Sequence, residues 1–316
     1  MATTTKAHDV DALKASILDR LIIRLADPSA PAWVKTWAAK YPTNVDGRRY
    51  NGLNLFALME AAEVKGYDDP RWMTYRRGTD FGANVRKGEK GTVILSPPAF
   101  KQVKDANGNP VLKNGKPETY FCRPRAFTVF NVGQFENGSI PALSTHATSP
   151  QTVADVHTAL DPILTYIAPV KAGNTDRACY YPSTDKISIP SIDLYNGKVG
   201  EYVHTFLHEA AHSTGHEARL KRAGIVNFEG PGSESYAFEE LVADFTALFT
   251  APVLGLIYAQ DVEDNSLEYL CGWGRRLKGM KDANEGRSIL AAAITQATAA
   301  MSYMTQGLRL KAEDAE

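Results

Sequence analysis

Two histidines and a glutamate, spaced as His208-Glu209-x-x-His212, are the residues of this chain best suited to metal chemistry. Residues four apart on a helix lie one turn apart on the same face, so both imidazoles can bind one zinc ion. Zinc lowers the pKa of a bound water, and Glu209 is then placed to take a proton from it as a general base. The spacing predicts a zinc-peptidase-type site with one Zn²⁺ per chain.

A second acidic segment, between Tyr236 and Phe245, can complete the coordination. Glu240 and Asp244 are one helical turn apart, so Glu240 can bind the metal while Asp244 orients a ligand histidine. Glu239 is the alternative third ligand, and both glutamates could instead lie on a solvated helix face. His204 is expected to be a surface histidine that does not bind the metal.

The histidine segment and the acidic segment must both lie on helices for these residues to meet, and the spacing of apolar residues predicts such helices. Hydrophobic residues recur at helical intervals over residues 200–214 and 234–250, and further helices are predicted near 8–26, 151–167, 264–278 and 286–305. A short strand is predicted over 186–190. Between Trp33 and Asn137, short apolar runs alternate with glycine-rich turns, which indicates a small α+β unit.

The length of 316 residues suits two domains, and residues 137–152 have the composition of a linker, being poor in charge and rich in Ser, Thr and Pro. We therefore predict an α+β protein of two domains. A small α+β domain occupies residues 1–140, a linker follows over 141–152, and residues 153–316 form a mainly helical domain with a small sheet.

Charge is divided unevenly between these halves. Residues 1–145 hold 21 basic and 14 acidic side chains, net +7, whereas residues 146–316 hold 14 and 22, net −8. A basic domain suits a polyanionic partner. Its cations alternate with aromatic residues, a mixture that holds single-stranded nucleic acid by stacking bases and pairing with phosphates. The alternative is that the tryptophans lie in the core and the cations only solubilise the surface. The residues that carry this pattern are Trp33, Trp37, Arg49, Tyr50, Trp72, Tyr75, Arg86, Lys87 and Lys90.

Other features exclude several classes of protein. With 44% hydrophobic and 22% charged residues, the chain has the composition of a globular protein. Its three cysteines, Cys122, Cys179 and Cys271, are too widely spaced for a disulfide framework or a thiolate zinc site. The chain begins without an apolar signal segment, and Pro252 and Gly255 interrupt its most apolar stretch. We expect a cytoplasmic protein that does not enter a membrane.

Longer motifs resemble the ArdC family of antirestriction proteins over nearly the whole chain. In the first half they are Arg49-Tyr-Asn-Gly-Leu-Asn54, Asp69-Pro-Arg-Trp-Met-Thr-Tyr75, Gly82-Ala-Asn-Val-Arg-Lys-Gly-Glu-Lys-Gly91 and Val129-Phe-Asn-Val-Gly-Gln134. The resemblance implies an N-terminal domain that binds single-stranded DNA. It adds Asn54, Phe130, Asn131 and Gln134 to the candidate DNA-binding residues.

In the second half the segments from Tyr181 to Pro190, from His208 to His216 and from Tyr236 to Asp244 resemble the zincin-like metallopeptidase domain of the same family. The family often has Glu where this chain has Asp244. Its members are carried by conjugative plasmids and phages, and the resemblance implies protection of incoming DNA from host restriction.

Two functions are compatible with these features. One is metal-dependent proteolysis of a protein substrate, with Glu209 as the general base, combined with binding of single-stranded DNA. The other is protection by DNA coverage alone, with a zinc ion that is structural or catalytically silent.

Overall fold

The structure is a computed structural model that describes residues 9–35, 41–97, 99–143, 153–173, 175–230, 232–256 and 264–308. The helices within these ranges are α1 (Val10–Leu25), α2 (Ala30–Lys35), α3 (Leu53–Lys65), α4 (Tyr75–Asp80), α5 (Val153–Leu160), α6 (Val199–Thr214), α7 (Ala223–Val226), α8 (Glu234–Val253), α9 (Asp264–Lys278) and α10 (Ala283–Met304). Short 3-10 helices cover Val132–Gln134, Asp161–Tyr166 and Ile192–Tyr195.

The strands are short. They are β1 (Thr43–Asn44), β2 (Arg71–Met73), β3 (Asn84–Val85), β4 (Thr92–Leu95), β5 (Ala99–Gln102), β6 (Leu112–Lys113), β7 (Lys116–Pro117), β8 (Thr119–Cys122), β9 (Ala126–Asn131), β10 (Phe135–Glu136), β11 (Val170–Gly173), β12 (Cys179–Tyr181) and β13 (Lys186–Pro190).

The N-terminal half is built on a four-stranded sheet with the strand order β1-β2-β9-β4. The β1 and β2 strands are parallel, whereas β9 runs antiparallel to both β2 and β4. Between β4 and β9 the chain leaves the sheet as an antiparallel ribbon in which β5 pairs with β8. The turn between β6 and β7 has positive φ at Asn114 and Gly115, which is the conformation that an asparagine-glycine pair adopts in a tight hairpin turn.

The C-terminal half is mainly helical and contains a three-stranded sheet with the order β11-β13-β12. The β12 strand lies at an edge of this sheet and runs antiparallel to β13. Helix α6 packs against this sheet and against α8. Ser233 caps α8 by accepting a hydrogen bond from the Tyr236 N–H at 3.2 Å. The α+β fold class predicted from the sequence is confirmed.

One continuous hydrophobic core connects the two halves. Helix α1 packs on α9 and α10, and the Phe56 ring on α3 lies 5.9 Å, centroid to centroid, from both Phe245 and Phe249 on α8. At the surface, the Arg287 guanidinium makes two hydrogen bonds of 2.7 and 2.8 Å with the Asp19 carboxylate. The halves are thus joined by buried apolar contacts as well as by the chain.

The predicted linker lies almost wholly outside the described residues, because the structure describes nothing between 143 and 153. The domain boundaries at 140 and 153 therefore stay a prediction. Within the described residues, no helix has the length and apolar character needed to cross a bilayer.

The contact between α1 and α9 can be tested at a glycine. A Cβ at Gly274 on α9 would lie 2.4 to 2.6 Å from atoms of Leu25 and Ala26, whereas a Cβ at Gly272 would meet nothing closer than 3.8 Å. We expect Gly274→Ala to lower the free energy of unfolding by about 1–3 kcal/mol, because overpacking forces the helices apart. Gly272→Ala, the matched control, should be neutral or gain up to about 1 kcal/mol from helix propensity. Urea denaturation measures both, and equal stability of the two variants would contradict this packing.

Candidate functional site

Three potential metal ligands converge where α6 meets α8. His208 and His212 lie one turn apart on α6, and their Nε2 atoms are 3.0 Å apart. Glu240 on α8 places Oε2 at 3.2 Å from the His208 Nε2 and Oε1 at 3.4 Å from the His212 Nε2. One ligand atom from each of these residues therefore lies within 4.8 Å of the others.

These separations fit a tetrahedral divalent ion. Ligands about 2.0–2.1 Å from a zinc ion in tetrahedral geometry are separated from one another by about 3.3 Å. The two Nε2 atoms are 3.0 Å apart, and they lie 3.2 and 3.4 Å from the two different oxygens of Glu240, so all three separations are close to this value. Two imidazole nitrogens and one carboxylate also form the donor set of many catalytic zinc sites, in which the fourth position is left for water or substrate.

Each imidazole is oriented by a carboxylate on the side away from the shared centre. The His208 Nδ1 lies 2.9 Å from Asp244 Oδ1, and the His212 Nδ1 lies 3.3 Å from Glu239 Oε1. An ionised carboxylate can only accept hydrogen bonds, so each Nδ1 carries a hydrogen, and each Nε2 faces the centre, where it offers a lone pair once it is deprotonated. Glu240 rather than Glu239 thus faces the shared centre, and Glu239 supports His212 from behind.

Arg222 holds Glu239 in place. Its guanidinium donates to the Glu239 carboxylate, with an Nε to Oε2 distance of 2.9 Å, and also to the Thr214 hydroxyl and the Ala211 carbonyl. Both members of this ion pair are buried. A buried charge is stable only when it is paired and hydrogen-bonded, so the loop before α7 fixes Glu239 and, through it, His212.

The cluster is strongly negative and therefore favours a cation. Burial opposes the charged form of both imidazoles, yet hydrogen bonds with Asp244 and Glu240 hold the pKa of His208 well above its usual value. Bonds with Glu239 and Glu240 likewise raise the pKa of His212 to about 9. Burial also opposes ionisation of Glu240, but the two imidazoles outweigh it and hold the pKa of this carboxyl far below its ordinary range. Protons on the imidazoles supply the positive charge that a metal ion would otherwise bring.

Glu209 lies in the same cleft, which has a volume of about 740 Å³ and is bordered by α6, α8 and the segment around β12. Its Oε2 accepts a hydrogen bond of 2.6 Å from the Tyr180 N–H of β12. The carboxylate predicted to act as general base thus lies beside the predicted metal ligands and is held towards the edge strand.

Sequence reasoning missed Tyr236 and Arg222. Tyr236 hydrogen-bonds to Glu240, and its ring is nearly parallel to that of His212 with a centroid separation of 6.3 Å. Burial and then this bond raise the pKa of the phenol well above its usual value. Tyr236 could have been found, since it lies one helical turn before Glu240. Nothing in the spacing singles out Arg222, which lies on a loop.

One expectation about α6 is wrong. His204 was expected at the surface, but it is 3% exposed and lies outside the group of potential metal ligands. Its position one turn before His208 directs it into the contact between helices instead of into solvent.

Burial corrects part of the predicted DNA-binding set. The side chains of Trp33, Trp72, Asn131 and Gln134 are buried, and Trp72 is 0% exposed, so none offers a surface on which a base could lie. Trp72 belongs to the core beneath the sheet. The Asn131 and Gln134 side chains instead cap the 3-10 helix that follows β9. The alternative of tryptophans in the core is therefore right for Trp33 and Trp72.

A groove of about 520 Å³ is lined by three other residues that were predicted to bind DNA, Arg49, Tyr50 and Asn54. Arg48 also lines it, and Arg48 and Arg49 are exposed. The Asn54 amide is held by the backbone of Leu95, because it donates to the Leu95 carbonyl at 2.7 Å and accepts from the Leu95 N–H at 2.8 Å. Asn54 thus fastens β4 to α3, whereas Arg48, Arg49 and Tyr50 line the groove with side chains that are exposed or half-buried.

The remaining predicted DNA contacts are scattered. Tyr75 is 56% exposed, and Arg86, Lys87 and Lys90 are exposed as well, but none of the four lines this groove. Phe130 is half-buried and packs edge-on against Phe135. Trp37 lies outside the described residues.

Two families match consecutive parts of the chain. Residues 11–130 match the N-terminal domain of anti-restriction factor ArdC, and residues 161–295 match a family of zincin-like metallopeptidases. Crystal structures of the antirestriction ArdC protein from the R388 plasmid are similar throughout. The metal-free structure is 29% identical with a TM-score of 0.66, covering 93% of this chain and 97% of that one. The Mn(II)-bound structure is 28% identical with a TM-score of 0.63, covering 95% and 98%.

Similar curated proteins include two DNA primases TraC of Escherichia coli. Each is 37% identical, over 259 and 255 residues, which is 76% of this chain in both cases. The chain spans only 23% and 17% of the lengths of these primases. The uncharacterized protein y4eC of Sinorhizobium fredii is 27% identical over 254 residues, covering 80% of this chain and 77% of that protein.

The two adjacent glutamates should differ in their effect on metal binding and on stability. We expect Glu240→Gln to abolish tight binding of a divalent ion, because it removes a negative ligand from the centre. Glu239→Gln should retain the ion with an affinity lower by about 10–100-fold, the usual effect of losing a group that orients a ligand. It should also lower the free energy of unfolding by about 3 kcal/mol or more, because Arg222 is left buried without a counter-charge.

Titration with Zn²⁺ against a chromogenic chelator and urea denaturation measure the two effects. As a control, Arg222→Met combined with Glu239→Leu removes both charges and should recover most of the stability without recovering the metal affinity. Loss of metal in Glu239→Gln alongside retention in Glu240→Gln would reverse the two assignments.

Proposed function

The chain belongs to the ArdC family of antirestriction proteins, and on that premise we propose that it binds single-stranded DNA through its basic half and hydrolyses a protein substrate at a zinc centre. In this proposal His208, His212 and Glu240 hold one Zn²⁺ per chain, with Asp244 positioning His208. The cellular role is protection of incoming plasmid or phage DNA from restriction.

The observation that carries the catalytic part is the arrangement of Glu209 in one open cleft with the three potential ligands. A bound divalent ion supplies Lewis-acid polarisation of a scissile carbonyl and lowers the pKa of a water molecule. Glu209 takes the proton from the attacking water and passes it to the leaving amine. The Tyr236 hydroxyl, which is protonated at neutral pH like any phenol of ordinary or raised pKa, can donate a hydrogen bond within the cleft.

Strand β12 supports the proposed substrate class, because it lies along the cleft at the edge of its sheet. One side of β12 pairs with β13, and on the other side the Tyr180 N–H is directed to Glu209. An edge strand of this kind can pair with an extended peptide, which would lie across Glu209 and the metal ligands. We therefore propose an extended polypeptide segment as the substrate.

Binding of DNA is supported by the groove at Arg48, Arg49 and Tyr50 in a half of net charge +7. Guanidinium groups pair with phosphates, and a partly exposed tyrosine ring can receive a base. The negative second half, net −8, adds no comparable attraction for a polyanion.

A second candidate function is protection by DNA coverage alone, with a metal centre that does not turn over. The bond from the Tyr180 N–H to Glu209 favours it, because a carboxylate engaged in this way is less available to a water molecule. The first candidate function requires Glu209 as a general base, whereas the second does not, so a substitution of Glu209 distinguishes the two functions.

The full chain should bind single-stranded DNA more tightly than duplex DNA of the same length. Raising salt from 50 to 200 mM should weaken binding by about tenfold or more if three phosphates are contacted. Arg49→Ala should weaken binding, whereas Lys281→Ala, which removes one exposed charge from the acidic half, should not. Fluorescence anisotropy measures each affinity, and tighter binding to duplex would contradict the proposal. The whole chain is used because α1 is buried against the C-terminal half.

Glu209→Gln should retain Zn²⁺ and DNA binding while losing hydrolysis, because glutamine keeps the shape of the side chain but cannot accept a proton from water. Metal titration and anisotropy provide the controls on the same preparation. Cleavage of unstructured protein substrates reports the chemistry, and plasmid transfer into restricting recipients reports protection. Full protection by Glu209→Gln would favour DNA coverage alone, whereas loss of protection with intact DNA binding would tie antirestriction to hydrolysis.

A further inference from the structure

The antiparallel ribbon formed by β5 and β8 extends the β4–β9 hairpin away from the sheet. Ala99 pairs with Cys122, Phe100 with Phe121 and Lys101 with Tyr120. Nearly every described side chain from residue 100 to 123 is exposed or half-buried, so both faces of the ribbon are open to solvent. The ribbon residues 99–122 therefore contribute no large side chain to the hydrophobic core.

An aromatic pair lies on one face of this ribbon. Residues directly opposite each other in an antiparallel pair share a face, which places Phe100 beside Phe121. Their ring centroids are 5.4 Å apart, and the side chains are 73% and 53% exposed. Tyr120, on the opposite face, is 52% exposed. Three large rings in open solvent on a two-stranded ribbon are unexplained by packing and form a surface suited to stacking.

The charge around these rings is positive. Between residues 99 and 125 there are six cations and two carboxylates, net +4. Both carboxylates are used locally, since Asp105 accepts hydrogen bonds from the N–H groups of Asn107 and Asn109 and Glu118 lies 3.7 Å from Lys113. Within the part of the chain that the structure describes, Lys101 and Arg123 have no ion-pair partner. The cations are Lys101, Lys104, Lys113, Lys116, Arg123 and Arg125.

The ribbon begins at the wall of the groove that contains Arg49 and Tyr50. Pro97 precedes β5 and Pro124 follows β8, so both lie at the base of the ribbon, and both line that groove. Phe100 follows Pro97 by three residues and Phe121 precedes Pro124 by three, and an extended chain of three residues spans at most about 11 Å. Each phenylalanine therefore lies within about 11 Å, measured along the chain, of a residue that lines the groove, a separation that a bound single strand can span.

We propose that this ribbon is a second part of the nucleic-acid site, which stacks bases of single-stranded DNA on Phe100 and Phe121 while its cations pair with the phosphates. The proposal rests on the proposed DNA-binding function and extends it from the groove to the ribbon. Duplex DNA suits this surface less, because its bases are already stacked on one another and present no free faces. Two copies of this cationic ribbon would repel each other, so the positive charge around the rings disfavours a contact between copies of the chain.

The test uses the full chain and a single-stranded oligonucleotide of about 20 nucleotides, long enough to cover a site of ordinary size. Combined Phe100→Ala and Phe121→Ala should weaken binding by about fivefold or more, the loss of at least one stacked base. Phe100→Tyr with Phe121→Tyr keeps both rings and should bind within about twofold of wild type. Leu194→Ala removes a similarly exposed apolar side chain from the acidic half and should leave the affinity unchanged. Circular dichroism and Zn²⁺ titration show that each variant is folded.

Each outcome has one meaning. Equal affinity of wild type and the double alanine variant overturns the ribbon proposal and leaves the groove proposal standing. Absence of single-stranded DNA binding by the wild type overturns both. Light scattering on the same samples identifies a contact between copies: if the alanine variant changes the oligomeric state but not the DNA affinity, the rings serve that contact and the proposal fails.

Discussion

Charge buried between two helices is the constraint on which the rest of the structure depends. Glu239, Asp244, His212 and Arg222 are each less than a tenth exposed, and an unpaired charge at such a depth costs several kcal/mol. Pairing Asp244 with His208 and Glu239 with His212 requires α6 and α8 to run antiparallel in a single register. In that register both Nε2 atoms and the Glu240 carboxylate are left facing the cleft. The geometry of the centre thus follows from satisfying the groups behind it.

Helix α8 serves both this centre and the common core. Glu239, Glu240 and Asp244 lie in its middle turns, and Phe245 and Phe249 follow on the turns that meet Phe56 of the other half. The helix is therefore held by ion pairs along one stretch and by aromatic packing along the next. Precise placement of a carboxylate ligand benefits from such support, because small displacements change the distances within a metal centre.

Sequence alone could predict the centre because helical spacing is a local property. The four-residue separations of His208 from His212 and of Glu240 from Asp244 place each pair on one face, and the two helices predicted over 200–214 and 234–250 are observed as α6 (Val199–Thr214) and α8 (Glu234–Val253). Choosing between Glu239 and Glu240 needs the rotation of α8 against α6, which no local pattern contains. Trp72 shows the same limit in the basic half: an aromatic residue among cations is typical of a nucleic-acid surface, but strand pairing decides whether its ring faces solvent or core. The exposed pair of Phe100 and Phe121 was missed for that reason.

Thr298 connects the groove of the N-terminal half with a helix of the C-terminal half. This residue belongs to α10 of the C-terminal half, yet it lines the groove beside Arg49 and Tyr50, while the same helix packs along α8. A substitution at Thr298 consequently alters a wall of the groove, whereas one on the face of α10 that packs on α8 alters the backing of the helix that bears Glu240. An exchange of one half between relatives must therefore keep this helix compatible with both surfaces.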